Sequence, residues 1–248
     1  MEYNPFSLKG KTILVTGASS GIGRASAIEC SKMGAKLILI GRNEDRLLET
    51  FKQLEGFHHQ FYLLDINKEE ERISLFSQID PIDGLVLCAG IADAVPLKFA
   101  SPEKVKKVFE TNFFSTVEFV RLLHKNKRIS KGSSIIAIAS IGGVYSIDIG
   151  NGIYGASKAA LVSWMKFLAK ELAPFKIRVN CICPGMVKTP FIYSGTVSND
   201  QLKEDEKRYP LGRYGNPEDI AFSVVYFLSD ASEWITGTNF VIDGGISI

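Results

Sequence analysis

Short β-branched and aliphatic runs recur along this chain, each followed by a longer segment of mixed polarity. The runs are Thr12–Thr16 (TILVT), Lys36–Ile40 (KLILI), Gln60–Leu64, Gly84–Cys88 (GLVLC), Ser134–Ala139 (SIIAIA), Ile177–Cys183 and Asn239–Ile242. Most are continuously apolar rather than alternating, which marks strands covered on both faces, as in a parallel sheet. Parallel neighbours need long crossovers, and the intervening segments carry helix signals. The pattern predicts an α/β fold: a doubly wound parallel sheet of about seven strands with helices on both faces.

The helix boundaries are written in residue types. Glycines open a segment from Gly21 to Lys32, and Gly34 stands where a glycine after a helix belongs. Asn43 is placed to cap a helix over Glu44–Leu54, with acids in its first turn. Asn67 and Glu70 have the spacing of a capping box. Ser101-Pro102-Glu103 and Asn216-Pro217-Glu218 each put proline at a first helical position; the first starts a long helix and the second a helix to Leu228. Tyr154–Leu172 reads as a helix ended by Pro174. No linker, repeat or low-complexity tract interrupts the rhythm, so residues 1–248 are expected to form a single domain.

Composition removes other classes. Lys+Arg 29 against Asp+Glu 27 leaves a net charge of +2, with no surplus to favour nucleic acid. The apolar runs are far short of the roughly 20 residues that span a bilayer, so no membrane partner is expected. The N-terminus lacks the basic and apolar regions of a signal peptide. Four cysteines without a Cys-x-x-Cys pair, and three histidines, give no metal spacing. A reducing, cytoplasmic setting follows as the expectation.

The first strand runs into Thr16-Gly17-Ala18-Ser19-Ser20-Gly21-Ile22-Gly23. Glycines between a strand and a helix let backbone approach a pyrophosphate, whose charge then sits at the helix N-terminus. Spacings of four and two differ from the common G-x-G-x-x-G, and a plain strand–helix turn is the competing reading. After the second strand stands Gly41-Arg42-Asn43, with no acid to bond a ribose 2′-hydroxyl. An arginine there accommodates a 2′-phosphate, so NADP(H) is expected ahead of NAD(H). A solvated loop arginine is the alternative.

Tyr154 and Lys158 are four apart near a helix start and so share a face. Such a pair is weak alone. Ser140, however, follows the fifth strand, at the carboxyl edge where open α/β sheets bind ligands. An ammonium beside the phenol would lower its pKa, and a phenol so tuned can exchange a proton with a carbonyl or alcohol oxygen.

Gly17-x-x-x-Gly21-Ile22-Gly23, Asn112, Ser140 and Tyr154-x-x-x-Lys158 together resemble the short-chain dehydrogenase/reductase family, over nearly the whole chain. Asp65-Ile66, Ala89-Gly90, Pro184-Gly185 with Thr189, Arg213, Pro217-Glu218-Asp219, Thr236-Gly237 and Asp243-Gly244-Gly245 fit the same order. The resemblance implies a Rossmann-like oxidoreductase moving hydride between a nicotinamide cofactor and a carbonyl/alcohol pair. Tyr154 would be the general acid/base. Lys158 would hold the nicotinamide ribose and lower the tyrosine pKa. Ser140 would hold the substrate oxygen, and Asn112 a water in a proton relay. Gly17, Ser19, Ser20, Gly21, Ile22 and Gly23 would cradle the pyrophosphate, with Arg42 at the adenosine ribose. Asp65 and Ile66 would contact adenine, while Ala89 and Gly90 line the cofactor. Pro184, Gly185, Val187 and Thr189 would flank the nicotinamide and pyrophosphate. Family members are often oligomers, so a homotetramer or homodimer is expected, in keeping with the apolar ends Phe240–Ile242 and Ile246–Ile248.

Three departures stand out. Cys88-Ala89-Gly90 replaces the usual Asn-Ala-Gly, and Cys88 is expected to be a buried small hydrophobe whose effect is on stability. The Ser140–Tyr154 interval is 14, one residue longer than the family's commonest spacing, which places the extra residue in the loop Gly142–Gly152. The segment Asp65–Cys88 is short, which implies a truncated helix. The substrate stays open among 3-oxoacyl groups on a carrier protein, steroids, sugars, polyols and small ketones. Phe191, Ile192 and Tyr193 are candidates to line its pocket, and Lys203–Arg208 reads as a solvated helix face. The competing class is a catalytically silent nucleotide-binding sensor or structural protein on the same fold.

Overall fold

The computed structural model describes residues 3–193 and 198–248. Seven parallel strands form one sheet in the order β3-β2-β1-β4-β5-β6-β7. They are β1 (Thr12–Thr16), β2 (Lys36–Gly41), β3 (Gln60–Leu63), β4 (Ile82–Leu87), β5 (Ile129–Ile138), β6 (Arg178–Pro184) and β7 (Asn239–Ile242). The order reverses direction between β1 and β4, which opens a crevice at their carboxyl ends.

The continuous apolar runs have the expected cause. Successive side chains in a strand point to opposite faces. Leu14, Ile38 and Ile40 enter one core with Leu75 and Phe76 of α3 (Glu69–Gln78), Phe119 and Leu123 of α5 (Ser115–Lys125), and Leu161 and Met165 of α6 (Gly152–Leu172). Their neighbours Ile13, Val15, Leu37 and Leu39 enter the other core. There they meet Ala27 and Cys30 of α1 (Gly21–Lys32), Leu47 of α2 (Glu44–Phe51), and Ile220 and Val224 of α9 (Pro217–Leu228). The remaining helices are α4 (Pro102–Phe109), α7 (Pro190–Tyr193) and α8 (Asn199–Glu206). Among the described residues no helix is long and apolar enough to cross a membrane.

Several local expectations change. Asn43 caps α2 by accepting the Arg46 amide, but the helix ends at Phe51 because Gln53 and Leu54 turn back onto the carbonyls of Thr50 and Phe51. Asn67 caps nothing. Its carboxamide donates to Thr111 Oγ1, Asp65 Oδ1 accepts the Asn67 amide, and α3 starts one residue later behind Lys68. The short Asp65–Cys88 segment still holds a ten-residue α3. The long helix from Pro102 is one rod with a π turn, Glu110–Phe114, between α4 and α5. Asn112 lies in that turn, and such widened turns frequently mark functional sites. β5 begins at Ile129, five residues before the expected start, with a register shift opposite Ile82/Gly84.

Phe119 is fully enclosed, its ring 5.5 Å from that of Phe76. Phe119→Ala should lower the unfolding free energy by about 3–5 kcal/mol, read as a shift in urea midpoint at constant m-value.

Candidate active site

One cleft of about 1430 Å³ runs along the carboxyl edge of the sheet. At its head is the turn from β1 to α1. Gly17 and Gly21 have φ of +67° and +52°, in the left-handed region that glycine tolerates. A β-carbon on Gly17 would lie 2.9 Å from the Ala89 amide nitrogen, and one on Gly21 would lie 2.9 Å from Thr189 Cγ2. On Gly23 it would overlap the Gly17 carbonyl oxygen. Ser20, the N-cap residue of α1, makes no side-chain cap bond, and the first turn has no acid. The positive end of α1 therefore faces the cleft with neither side-chain cap nor counter-charge, which suits an anion.

Beside this turn Arg24 is occupied. Its guanidinium donates to the carbonyls of Ser19 (2.9 Å) and Arg46 (3.1 Å) and to Glu49 (2.9 Å), tying α2 to the turn. Arg42 differs: its side chain is 62% exposed and its only ion pair among the described residues is a loose one, 3.8 Å from Asp65. Arg46 lines the same end of the cleft and escaped sequence reading because it looks like any exposed helix residue. Ile66 lies on the wall, and its carbonyl accepts from the buried Arg72 guanidinium.

The reacting end is built from β4, β5 and α6. Ser140 accepts the Gly142 amide at 3.0 Å, and its hydroxyl lies close enough to the Tyr154 phenol to pull its pKa down. One turn along α6, Lys158 is buried and donates to the Ile138 carbonyl at 2.8 Å. Its ammonium lies 5.9 Å from the centre of the Tyr154 ring. Burial dominates both groups. It holds Lys158 below the usual ammonium range. It pushes Tyr154 up to about 12, against a smaller downward pull from Ser140. The lowering of Tyr154 expected from Lys158 does not prevail over burial, with the lysine turned onto Ile138 and over the ring face.

Asn112 does not line the cleft. Its carboxamide is spent beneath it, accepting the Ile91 amide (2.8 Å) and donating to the Ile91 carbonyl (2.9 Å) and Ser157 Oγ (3.0 Å). Gly90 is wedged between Asn112 and Lys158: a β-carbon there would lie 3.2 Å from Asn112 Oδ1 and 3.4 Å from Lys158 Nζ.

Cys88 is a second correction. It is half-buried on the cleft wall, not enclosed in the core. Burial still raises its thiol, to about 11, against opposing pulls from Lys158 and a Gly23 backbone hydrogen bond. The hydrogen bonding in this strand-end turn falls to Thr16, whose hydroxyl accepts the amides of Cys88 (3.0 Å) and Ala89 (3.2 Å) and donates to the Val86 carbonyl (3.3 Å). Thr16 was missed because a threonine ending a strand carries no distinguishing signal.

After β6, Pro184, Gly185, Val187 and Thr189 follow the opposite wall. Their loop is pinned by Lys188, whose amide donates to Gly215 (2.8 Å) and whose ammonium pairs with Glu206 at 2.6 Å. The Asp205 carboxylate accepts the Tyr214 phenol (2.8 Å) and Arg208 (2.7 Å), so α8 is tied into the fold and is not simply a solvated face. Phe191 and Ile192 line the cleft; the side chain of Tyr193 lies outside the described residues. Among the described side chains, all the sequence-derived site residues line this one cleft except Gly23 and Asn112, which lie just beneath it.

Residues 17–247 match a family model described as enoyl-(acyl carrier protein) reductase. The chain is 34% identical over 240 residues to a 3-oxoacyl-[acyl-carrier-protein] reductase of Rickettsia bellii, covering 96% of this chain and 98% of that protein. A short-chain type dehydrogenase/reductase structure from Mycobacterium marinum superposes with TM-score 0.88 at 31% identity over 98% of both chains. A candidate NAD(P)-dependent gluconate 5-dehydrogenase from Beutenbergia cavernae, with NADP bound at low occupancy, gives 0.89 at 29% identity over 98% of this chain and 99% of that one. The fold and cleft are those of a nucleotide-type α/β oxidoreductase. The chain belongs to the short-chain dehydrogenase/reductase family.

All four cysteine thiols are raised by burial. A disulfide dye at pH 8 should label the folded protein at least about ten times more slowly than the urea-unfolded chain, whose thiols sit near the ordinary value of about 8.5. Fast labelling of all four sites in the folded state would contradict the packing.

Proposed function

We propose that the cleft binds NADP(H), with NAD(H) as a weaker alternative, and reduces a small-molecule carbonyl compound or oxidises the matching alcohol. The carrying observation is that Ser140, Tyr154 and Lys158 converge at one end of the same cleft whose other end is the glycine turn and the uncapped start of α1. The residues fit the cofactor. Gly17, Ser19, Ser20, Gly21 and Ile22 line the cleft at a helix end suited to a pyrophosphate. Arg42 is the weakly paired cation where a 2′-phosphate would come, with Arg24 already committed to backbone. When bound, the nicotinamide supplies the hydride chemistry.

The chain's own part is position and proton. A phenol raised to about 12 keeps its proton throughout the neutral range, which is the state a carbonyl oxygen needs from a general acid. Ser140 Oγ, anchored by the Gly142 amide, is placed to hydrogen-bond the same oxygen as charge builds on it. Lys158 brings a positive charge under the phenol, where it stabilises the tyrosinate once the proton has left. Asn112 holds Ile91 and Ser157, and through them the floor beneath Gly90, so we assign its side chain a positioning role. The whole chain acts as one domain in this reading, since both cores share one sheet. Phe222, Trp234 and Phe240 leave apolar surface beside α9 and β7, which we assign to contact between copies in a homo-oligomer.

Tyr154→Phe should cut carbonyl reduction by at least about 100-fold while NADPH fluorescence titration still shows binding. Retained turnover would remove the acid/base assignment. Arg42→Ala should raise KM for NADPH by about tenfold and change that for NADH by less than about twofold, as expected for losing one charge-assisted contact to phosphate. Equal changes would mean that Arg42 does not read the phosphate.

A further inference from the structure

Tyr209, in the turn after α8, is a residue for which the family pattern gives no role. It is only 5% exposed, yet it lines the cleft. Its ring is held edge-on by Tyr214, with centroids 5.1 Å apart, and lies close against Gly244. Its phenolic oxygen accepts the Met186 amide at 3.2 Å, which fixes the hydroxyl beside the loop Pro184–Thr189. The neighbouring Tyr214 phenol donates to Asp205. Tyr209 has no such acceptor among the described residues: its oxygen is engaged only as the acceptor of the Met186 amide.

A buried donor left unpaired is costly, so native structures give nearly every one a partner. The open space beside Tyr209 is the cleft: Met186, Ile192 and Ile246 pack around Tyr209, and Gln201, Asp205 and Arg208 line the same cleft. We propose that Tyr209 is a specificity-determining residue that donates its O–H to the substrate, so that the preferred carbonyl compound carries a second oxygen acceptor, a hydroxyl or further carbonyl, beyond the one reduced. This rests on the oxidoreductase reading above. The Met186 amide sets where the hydroxyl stands, and the substrate's second oxygen completes its hydrogen bonding.

The test compares matched ketones under NADPH: butan-2-one with 3-hydroxybutan-2-one, and cyclohexanone with 2- and 4-hydroxycyclohexanone. The wild-type enzyme should favour at least one hydroxylated member over its parent in kcat/KM by about 10- to 100-fold, chiefly through KM, as a site built around a hydrogen bond rejects the analogue lacking it. In Tyr209→Phe that ratio should fall toward unity. The ratio separates anchoring from scaffolding, because loss of the Met186 contact alone would lower both members of a pair in proportion. Proportional losses, or no wild-type preference in any pair, overturn the assignment. Turnover of the parents without discrimination leaves the oxidoreductase reading standing, whereas turnover of no ketone at all sinks that reading and this one with it.

Discussion

A β-carbon on Gly23 would overlap the carbonyl oxygen of Gly17, and the molecule is arranged around that contact. It lets α1 begin almost on top of the strand end it has just left. Close approach carries the first amides of α1 to the switch point between β1 and β4, where the strands on either side diverge. The same tight turn brings Gly17 against the backbone of Ala89 and Gly21 against Thr189. The loops after β4 and β6 are thereby referenced to one point. Any side chain at these glycines would displace three loops from three strands.

The sheet itself was legible because burial on both faces leaves a compositional mark that one-sided strands lack. All seven strands and the main helices were found, and the errors lie where polar side chains had a choice. Asn67 had the spacing of a cap but found Thr111, forty-four residues away, a partner that local pattern cannot reveal. The π turn at Asn112 was likewise invisible. It arises from packing of the long helix against α6 and from the demand of Ile91 for Asn112, and neither leaves a trace in residue spacing. The candidate site was legible for a different reason: the glycine turn, Ser140 and the Tyr154–Lys158 pair, weak singly, together carry the resemblance to a known family. Thr16, Arg46 and Tyr209 have no such spacing, and their place on or beside the cleft follows from tertiary structure alone.

Electrostatics at the reacting end turn on desolvation. Proximity of Lys158 to Tyr154 suggested a lowered phenol, yet the two groups share a low-dielectric pocket that disfavours charge on both. In that setting the neutral phenol is the stable form, and the ammonium is kept alive by the Ile138 carbonyl. Such a pair is poised rather than activated. On the reading proposed above, it would hold a proton for donation.

The two cations at opposite ends of the cleft illustrate how the fold divides labour. Arg42 is solvated and loosely tethered to Asp65, so on the proposed reading a phosphate arriving there would displace little and gain a guanidinium with most of its bonding capacity free. Lys158 is desolvated beforehand, during folding, and its charge acts through a medium that screens it poorly. A surface cation selects a ligand by its charge, whereas a buried one acts on the chemistry of its neighbour. Exchanging their environments would defeat both. An enclosed Arg42 would oppose folding without a counter-ion, and a solvated Lys158 would be screened from Tyr154 by water. The position of each on its element, one in the loop after β2 and the other in the second turn of α6, is therefore as much a part of the candidate mechanism as its charge.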